Sequence, residues 1–204
     1  DEYNRKAQAA ALMMSANRRL SHSPDPGWRC YSDDGAEAAQ HANLYLSVLS
    51  PEAIDGYMRD PGDNNNKVPH RRWLLFPQTR EMGSGDIPAE GEHPAANALW
   101  VVDANHYFDP RPATRDGFVA WPPPGFVPEA LIFARWSVSL AGADFGSAQV
   151  SMTLNGQPVS LQMVSDGAGY GEPTLTWQPD LAVVAGSLST SGSENSFQVE
   201  VSNV

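Results

Sequence analysis

Five histidines are the residues of this chain best able to bind a metal or move a proton: His22, His41, His70, His93 and His106. His22 and His70 stand apart from the others. Each borders a regular element, in "SHSPDPG" and "VPHRRWLLF", and the ends of elements line clefts. Two imidazoles converging in a cleft would hold a divalent cation such as Zn²⁺ or Ca²⁺, or shuttle a proton. A full metal site takes three or four ligands, so two histidines alone do not make one. His41 falls within a helical pattern, on a surface or satisfied in a core. His93 and His106, beside Pro94 and Asn105, read as solvated loop residues.

Other reactive groups point to less. Ser21 and Ser23 flank His22 and read as turn and capping residues. No G-x-S-x-G pattern marks a hydrolase nucleophile. The single cysteine, Cys30 in "GWRCYS", reads as a small buried hydrophobe. With one cysteine there is no intrachain disulfide, and the fold rests on its core. "DPGDNNN" lacks the D-x-[DN]-x-[DN]-G order and the distal Glu of a calcium loop, so it reads as a polar loop. If Arg71 and Arg72 stand on a strand, they point to opposite faces, so at most one faces the cleft and the other is solvated or paired with an acid such as Glu81. Trp73 and Trp100 read as core.

The elements that position these residues differ between the two halves. "EYNRKAQAAALMMSANRRL" is a helix without Gly or Pro, stopped by Pro24 and Pro26. "SDDGAEAAQHANLYLSVL" continues as a second helix with Asp33 or Asp34 as its N-cap. "SPEAIDGYMRD" is a short third helix, with Ser50 as the cap and Pro51 at the first helical position. "RRWLLF" and "NALWVVDA" read as buried strands, and "EMGSGD" as another whose glycines mark a bulge or a close approach. The first half is therefore an α+β layered domain. Beyond "AWPPPGFVP" the chain alternates apolar and polar residues in "RWSVSL", "QVSMTL", "TLTW" and "FQVEV", with a hairpin turn at Asn155-Gly156. Strands at this spacing indicate an immunoglobulin-like β-sandwich. The expected domains are 1–118 and 129–204, joined by a Pro-rich linker at 119–128.

Composition narrows the function. Thirteen basic against 24 acidic residues leave a net charge of −11, and twelve of the thirteen basic residues precede residue 117. That argues against nucleic acid and anionic membrane surfaces as partners. No apolar run approaches the ~18 residues needed to cross a bilayer. Asp1 opens directly onto a helical pattern, as expected of a processed chain whose upstream sequence is missing. The chain stops at Val204 just after a strand, which suggests that a further strand is missing.

"AQAAALMMSANRRLSH", then "HANLYL", then "AIDGYMRDPGDNNNKVPHRRWLLFPQTREMGSG" resembles the bacterial branch of the CAP superfamily. This is the SCP-like extracellular domain of cysteine-rich secretory, antigen 5 and pathogenesis-related 1 proteins. The match in order runs through His22, Asn43-Leu44, Tyr57, His70 and Gly83-x-Gly85, and covers roughly residues 1–105. The resemblance implies an α-β-α layered domain with two histidines and two acids around a central cleft. Carried over by position, the histidines are His22 and His70, and one acid is Asp60. The second acid falls on Ala42, a departure, and Pro69 stands where the family has Gly. Glu37 or His41 would have to substitute for the missing acid, but the ~100° turn per helical residue aims His41 elsewhere. The resemblance implies a secreted or cell-surface protein that binds a ligand in its cleft: Zn²⁺ or Ca²⁺ at His22, His70 and Asp60, a small apolar molecule, or an extracellular protein. The β-sandwich would serve as a spacer or adhesion unit. Two further readings remain: a His- or metal-assisted hydrolase of peptide or cell-wall material using His22, His70 and Asp60, and a non-catalytic interaction protein.

Overall fold

The computed structural model describes residues 2–167, 169–180 and 194–204. It resolves into two compact units whose segments alternate along the chain. Asp1–Met58 and Phe76–Pro112 make the first; Arg59–Leu75 and Ala113–Val204 make the second. Residues 59–75, which carry Asp60 and His70, thus belong with the β-rich second half.

The first unit combines helices with one antiparallel sheet, an α+β arrangement. Helix α1 (Glu2–Asn17) buries Ala7, Ala10, Ala11, Met13 and Met14. The alanine face lets a backbone come close, and strand β2 (Gly83–Ile87) supplies glycines where it does. A Cβ on Gly83 would meet the main chain of Tyr3 and Asn4, and one on Gly85 that of Ala7 and Gln8. The "EMGSGD" glycines therefore mark a close approach, as expected. Helix α2 (Asp33–His41) is capped by Ser32, whose hydroxyl accepts from Gly35 N. Asp33 and Asp34 lie in the first turn, where their charge suits the helix dipole, and neither is the cap.

The second helix ends earlier than expected. Ala42–Leu46 forms strand β1, which pairs with strand β3 (Ala96–Trp100) from Ala42 opposite Trp100 to Leu46 opposite Ala96. Cross-strand pairing of an apolar stretch overrides its weak helical preference. The sheet order is β1-β3-β2, with β3 buried throughout. Trp100 is core, stacked between Tyr3 at 4.5 Å and His41 at 4.9 Å between centroids. Helix α3 (Glu52–Arg59) forms as expected. The Ser50 hydroxyl, however, lies within hydrogen-bond distance of Asn97 Nδ2 and Ser84 Oγ.

The second unit opens with helix α4 (Pro69–Leu74), where a strand was expected. Pro69 at its first positions suits a helix start. The N-cap residue, Val68, has a φ of 43° and offers no side-chain cap. The strands follow: β4 (Val119–Trp121), β5 (Trp136–Ser139), β6 (Gln149–Leu154), β7 (Gln157–Pro158), β8 (Leu161–Ser165), β9 (Thr174–Pro179) and β10 (Phe197–Ser202). They form two antiparallel sheets, β4-β5-β9-β8 and β10-β6-β7. Strand β4 lies within the stretch expected to be linker and pairs with β5. Asn155 and Gly156, at φ 49° and 81°, make the hairpin turn between β6 and β7, both central residues left-handed as that turn requires. Trp136, Phe145, Met152, Leu175 and Trp177 are the buried centre of one apolar cluster fed by both sheets.

The opposite face of the larger sheet is also buried. Ser137, Thr174 and Thr176 are 4%, 1% and 0% exposed. Period-two alternation sends them away from Trp136, Leu175 and Trp177, and Ser137 accepts a bond from Arg71 of α4. Thr174 Oγ1 donates to Glu172 O at 3.0 Å, whereas the buried Thr176 hydroxyl has no partner among the described residues.

Candidate functional site

Asp60 and His70 meet. Asp60 ends α3 in a left-handed turn, φ 49°, and its side chain is fully buried. Its carboxylate accepts from His70 N at 2.9 Å, His70 Nδ1 at 2.7 Å and Arg71 N at 3.4 Å. It thereby supplies, from outside the helix, the cap that Val68 lacks. A carboxylate can only accept, so Nδ1 carries the ring proton and the ring orientation is set. The imidazole stays one-quarter exposed.

Residues far along the chain brace this pair. Arg135 donates to Asp60 O at 2.7 Å, Asn65 O at 3.2 Å and Gly62 O at 2.9 Å, stapling the loop between α3 and α4. The one basic residue of the second half is therefore a structural clamp. Arg71 and Arg72, expected to split between cleft and solvent, are both buried, at 1% and 5% exposure. The expectation assumed a strand; on a helix they sit about 100° apart and both turn inward. Arg71 donates to Arg135 O at 2.9 Å and Ser137 Oγ at 3.2 Å; Arg72 donates to Glu172 O at 2.8 Å. Burial drives the Arg71 guanidinium down to about 10, opposed by the Asp60 charge and reinforced by Arg135. Burial likewise brings Arg72 to about 10, against the pull of Tyr170.

A second carboxylate–imidazole pair lies in the first unit, where a solvated histidine was expected. Asp103, 2% exposed, accepts from His106 Nδ1 at 2.8 Å and from the N–H groups of Arg80 and Glu81 at 3.2 Å each. Tyr3 OH donates to its other oxygen at 3.4 Å. Burial pushes the Asp103 carboxyl up, but the bonds from His106, Arg80 and Glu81 outweigh it and hold the group below its usual range. A depressed carboxylate contributes stability that is complete above the unfolded value of ~3.9 and disappears as pH falls through the lower folded value. Asp103→Asn should therefore cost about 1–3 kcal/mol at pH 7. It should also flatten the loss of stability on acidification below pH 4, read from urea midpoints across pH 5 to 2. The "DANH" spacing was the only sequence signal for this pair.

The remaining candidates take other partners. His22 belongs to the first unit, where its Nδ1 donates to Ala39 O at 2.7 Å. His41 Nδ1 donates to Glu37 O at 2.8 Å, consistent with a satisfied histidine. His93 is partly buried, with Nδ1 enclosed, rather than solvated. Cys30 is exposed at φ 59°, not buried: the left-handed turn after Trp28 points it outward. Ala42, at the position of the missing acid, begins β1.

Both Asp60 oxygens already receive N–H groups, so this carboxylate serves as an acceptor for His70 and Arg71. Among the described residues, no group of three or more His, Cys, Asp or Glu side chains could hold a metal ion. No helix among them is long and apolar enough to cross a membrane.

No curated protein and no solved structure matches the chain. The model of the cysteine-rich secretory protein family, CAP, matches residues 1–102, half of the chain, and spans both His22 and the Asp60–His70 pair. By that match, and by the order of motifs that it covers, the chain belongs to the cysteine-rich secretory protein (CAP) family.

Proposed function

We propose that this chain is an extracellular CAP-family module that recognises a ligand through the His70 imidazole, and that an immunoglobulin-like β-sandwich in the same chain carries and braces that group. The observation behind this reading is the bond from His70 Nδ1 to the fully buried Asp60 carboxylate. A buried carboxylate fixes the tautomer and aim of a ring that remains one-quarter open, which is how a hydrogen-bonding group is pre-organised for a ligand. Arg135 adds to this, because its three bonds to the 60–65 loop make the β-rich half part of the support, beyond the role of a spacer. The ligand is a small molecule or an extracellular protein.

The same pair favours a second reading. An imidazole oriented by a carboxylate is the base-and-orienter half of a hydrolytic site. The two readings separate in one experiment on wild type and His70→Ala. Thermal unfolding is followed with Zn²⁺, Ca²⁺ and a panel of sterols and fatty acids, and hydrolysis of casein and peptidoglycan is assayed alongside. Binding at a hundredfold excess over Kd contributes about 2.7 kcal/mol, so a shift of about 5–10 °C in wild type, lost in His70→Ala, is the expected result. Turnover that falls more than a hundredfold in the variant would establish the hydrolase instead. A Zn²⁺ or Ca²⁺ shift that needs His70 would make a metal ion the ligand of this site.

A further inference from the structure

The hairpin between β6 and β7 sets the geometry of its turn against the chemistry of its side chain. Asn155 and Gly156 are both left-handed, at φ 49° and 81°. Glycine and asparagine enter that region at the least cost, so the tight turn selects this dipeptide. Asn155 is the one asparagine of the chain that is followed by glycine. A glycine after asparagine puts no side chain between its own main-chain nitrogen and the carboxamide carbon. Both residues are exposed, and nothing lies within 4 Å of the Gly156 Cβ position. The turn therefore presents to water the dipeptide most prone to cyclise.

The same side chain latches a strand. Asn155 Oδ1 accepts from Ser196 N at 2.9 Å, and Nδ2 donates to Asn195 Oδ1 at 3.1 Å. Asn155 N donates to Ser196 O at 2.8 Å, which extends the β6–β10 ladder by one residue past Leu154 opposite Phe197. Phe197 in turn meets Trp136 edge-on, with centroids 5.3 Å apart. A carboxamide held at both of its polar ends must release them before its carbon can swing onto Gly156 N.

We propose that Asn155 is a site of spontaneous deamidation, gated by its bonds to Asn195 and Ser196. When the start of β10 lifts away, Gly156 N attacks Asn155 Cγ. The N–Cγ bond forms, the Cγ–Nδ2 bond breaks, and Nδ2 leaves as ammonia with the Gly156 amide proton. Solvent water then opens the cyclic succinimide at either carbonyl. Attack at Cγ gives aspartate with the chain path unchanged. Attack at the main-chain carbonyl carbon of residue 155 gives isoaspartate, whose chain runs through Cβ and Cγ. The isoaspartyl turn is longer by one methylene, so it cannot keep both the hairpin and the pairing with Ser196. Deamidation thus turns a latch on β10 into a fault in it. This site is separate from the His70 site and stands or falls without it.

The test incubates the full chain at pH 8.5, native and in urea above its unfolding transition, and maps its peptides by mass spectrometry. The mass gained when NH₂ is replaced by OH marks deamidation and separates it from isomerisation at the four Asp-Gly pairs. Isoaspartate is read with an isoaspartyl methyltransferase. In the unfolded chain, Asn155 should convert about tenfold or more faster than any other asparagine. In the native protein it should convert measurably but about fivefold or more slowly than when unfolded, because the bonds at both ends of the carboxamide must open first. Asn195→Ala removes the acceptor of Nδ2 and should raise the native rate about threefold; Asn195→Asp, which keeps an acceptor oxygen, should restore it. The isoaspartyl form, separated by ion exchange, should show a lower urea midpoint and altered tryptophan emission, whereas Asn155→Asp should stay close to wild type. The proposal is overturned by absence of native conversion at Asn155, by equal rates in the native and unfolded chains, by an Asn195→Ala rate equal to wild type, or by an isoaspartyl form with the wild-type midpoint.

Discussion

Asp60→Ala is expected to destabilise the second unit by about 3–5 kcal/mol. The carboxylate is fully buried, and its removal strands three N–H groups: His70 N, His70 Nδ1 and Arg71 N. It also withdraws the negative charge that partly offsets the burial of Arg71. Removing one partner of a buried charged cluster costs far more than the pair contributes, because the remaining groups cannot return to water. Asp60→Asn separates the two effects. It keeps the shape and one acceptor oxygen, so about 1–3 kcal/mol should remain as the cost of losing charge-assisted bonds. Urea denaturation followed by circular dichroism measures both variants. An Asp60→Ala protein within 1 kcal/mol of wild type would show that the helix start and the arginine are held by something else.

The Gly85→Ala variant should be as severe, for a steric reason. A Cβ at this position falls inside the van der Waals envelope of Ala7 and Gln8 main-chain atoms. Backbone cannot rotate out of the way as a side chain can, so α1 and β2 must move apart and open the packing of Ala7 and Ala11. The expected cost is roughly 3 kcal/mol or more, at the upper end of overpacking effects, or about 10 °C in Tm. Gly167→Ala is the matched control: nothing lies within 4 Å of its Cβ position, and it should change stability by less than 0.5 kcal/mol. If both alanines behave alike, the close approach of helix and strand is not what the glycine at position 85 serves.

The candidate site was partly legible in the chain. His70 and Asp60 could be paired only through the family's order of motifs, since nine residues separate them and no local rule brings them together. The bracing arginines were not legible. "RRWLLF" is short, apolar and flanked by turn residues, and such a run is equally a buried strand or a helix. The deciding feature was Asp60 acting as a cap from a distance, which no window around Val68 contains. Misreading that element sent Arg71 to one face and Arg72 to another, when both are buried. His106 was missed similarly: its partner Asp103 is buried by Tyr3, a hundred residues earlier.

Local chemistry alone determined the long α1 with its alanine face, the glycines of β2, the Asn155-Gly156 hairpin and the alternating strands of the second half. Each of these depends on backbone preference or on a period of 2 or 3.6 residues, which the chain carries within a few positions. Tertiary structure alone decided that 42–46 is a strand, that 69–74 is a helix and that residues 59–75 belong with the second half. Those outcomes depend on partners far away in sequence: β3 for the strand, and Arg135 and Ser137 for the helix. A buried polar group takes its bond wherever the fold offers one, so the residues that hold His70 in place are scattered along the chain and meet only when it folds.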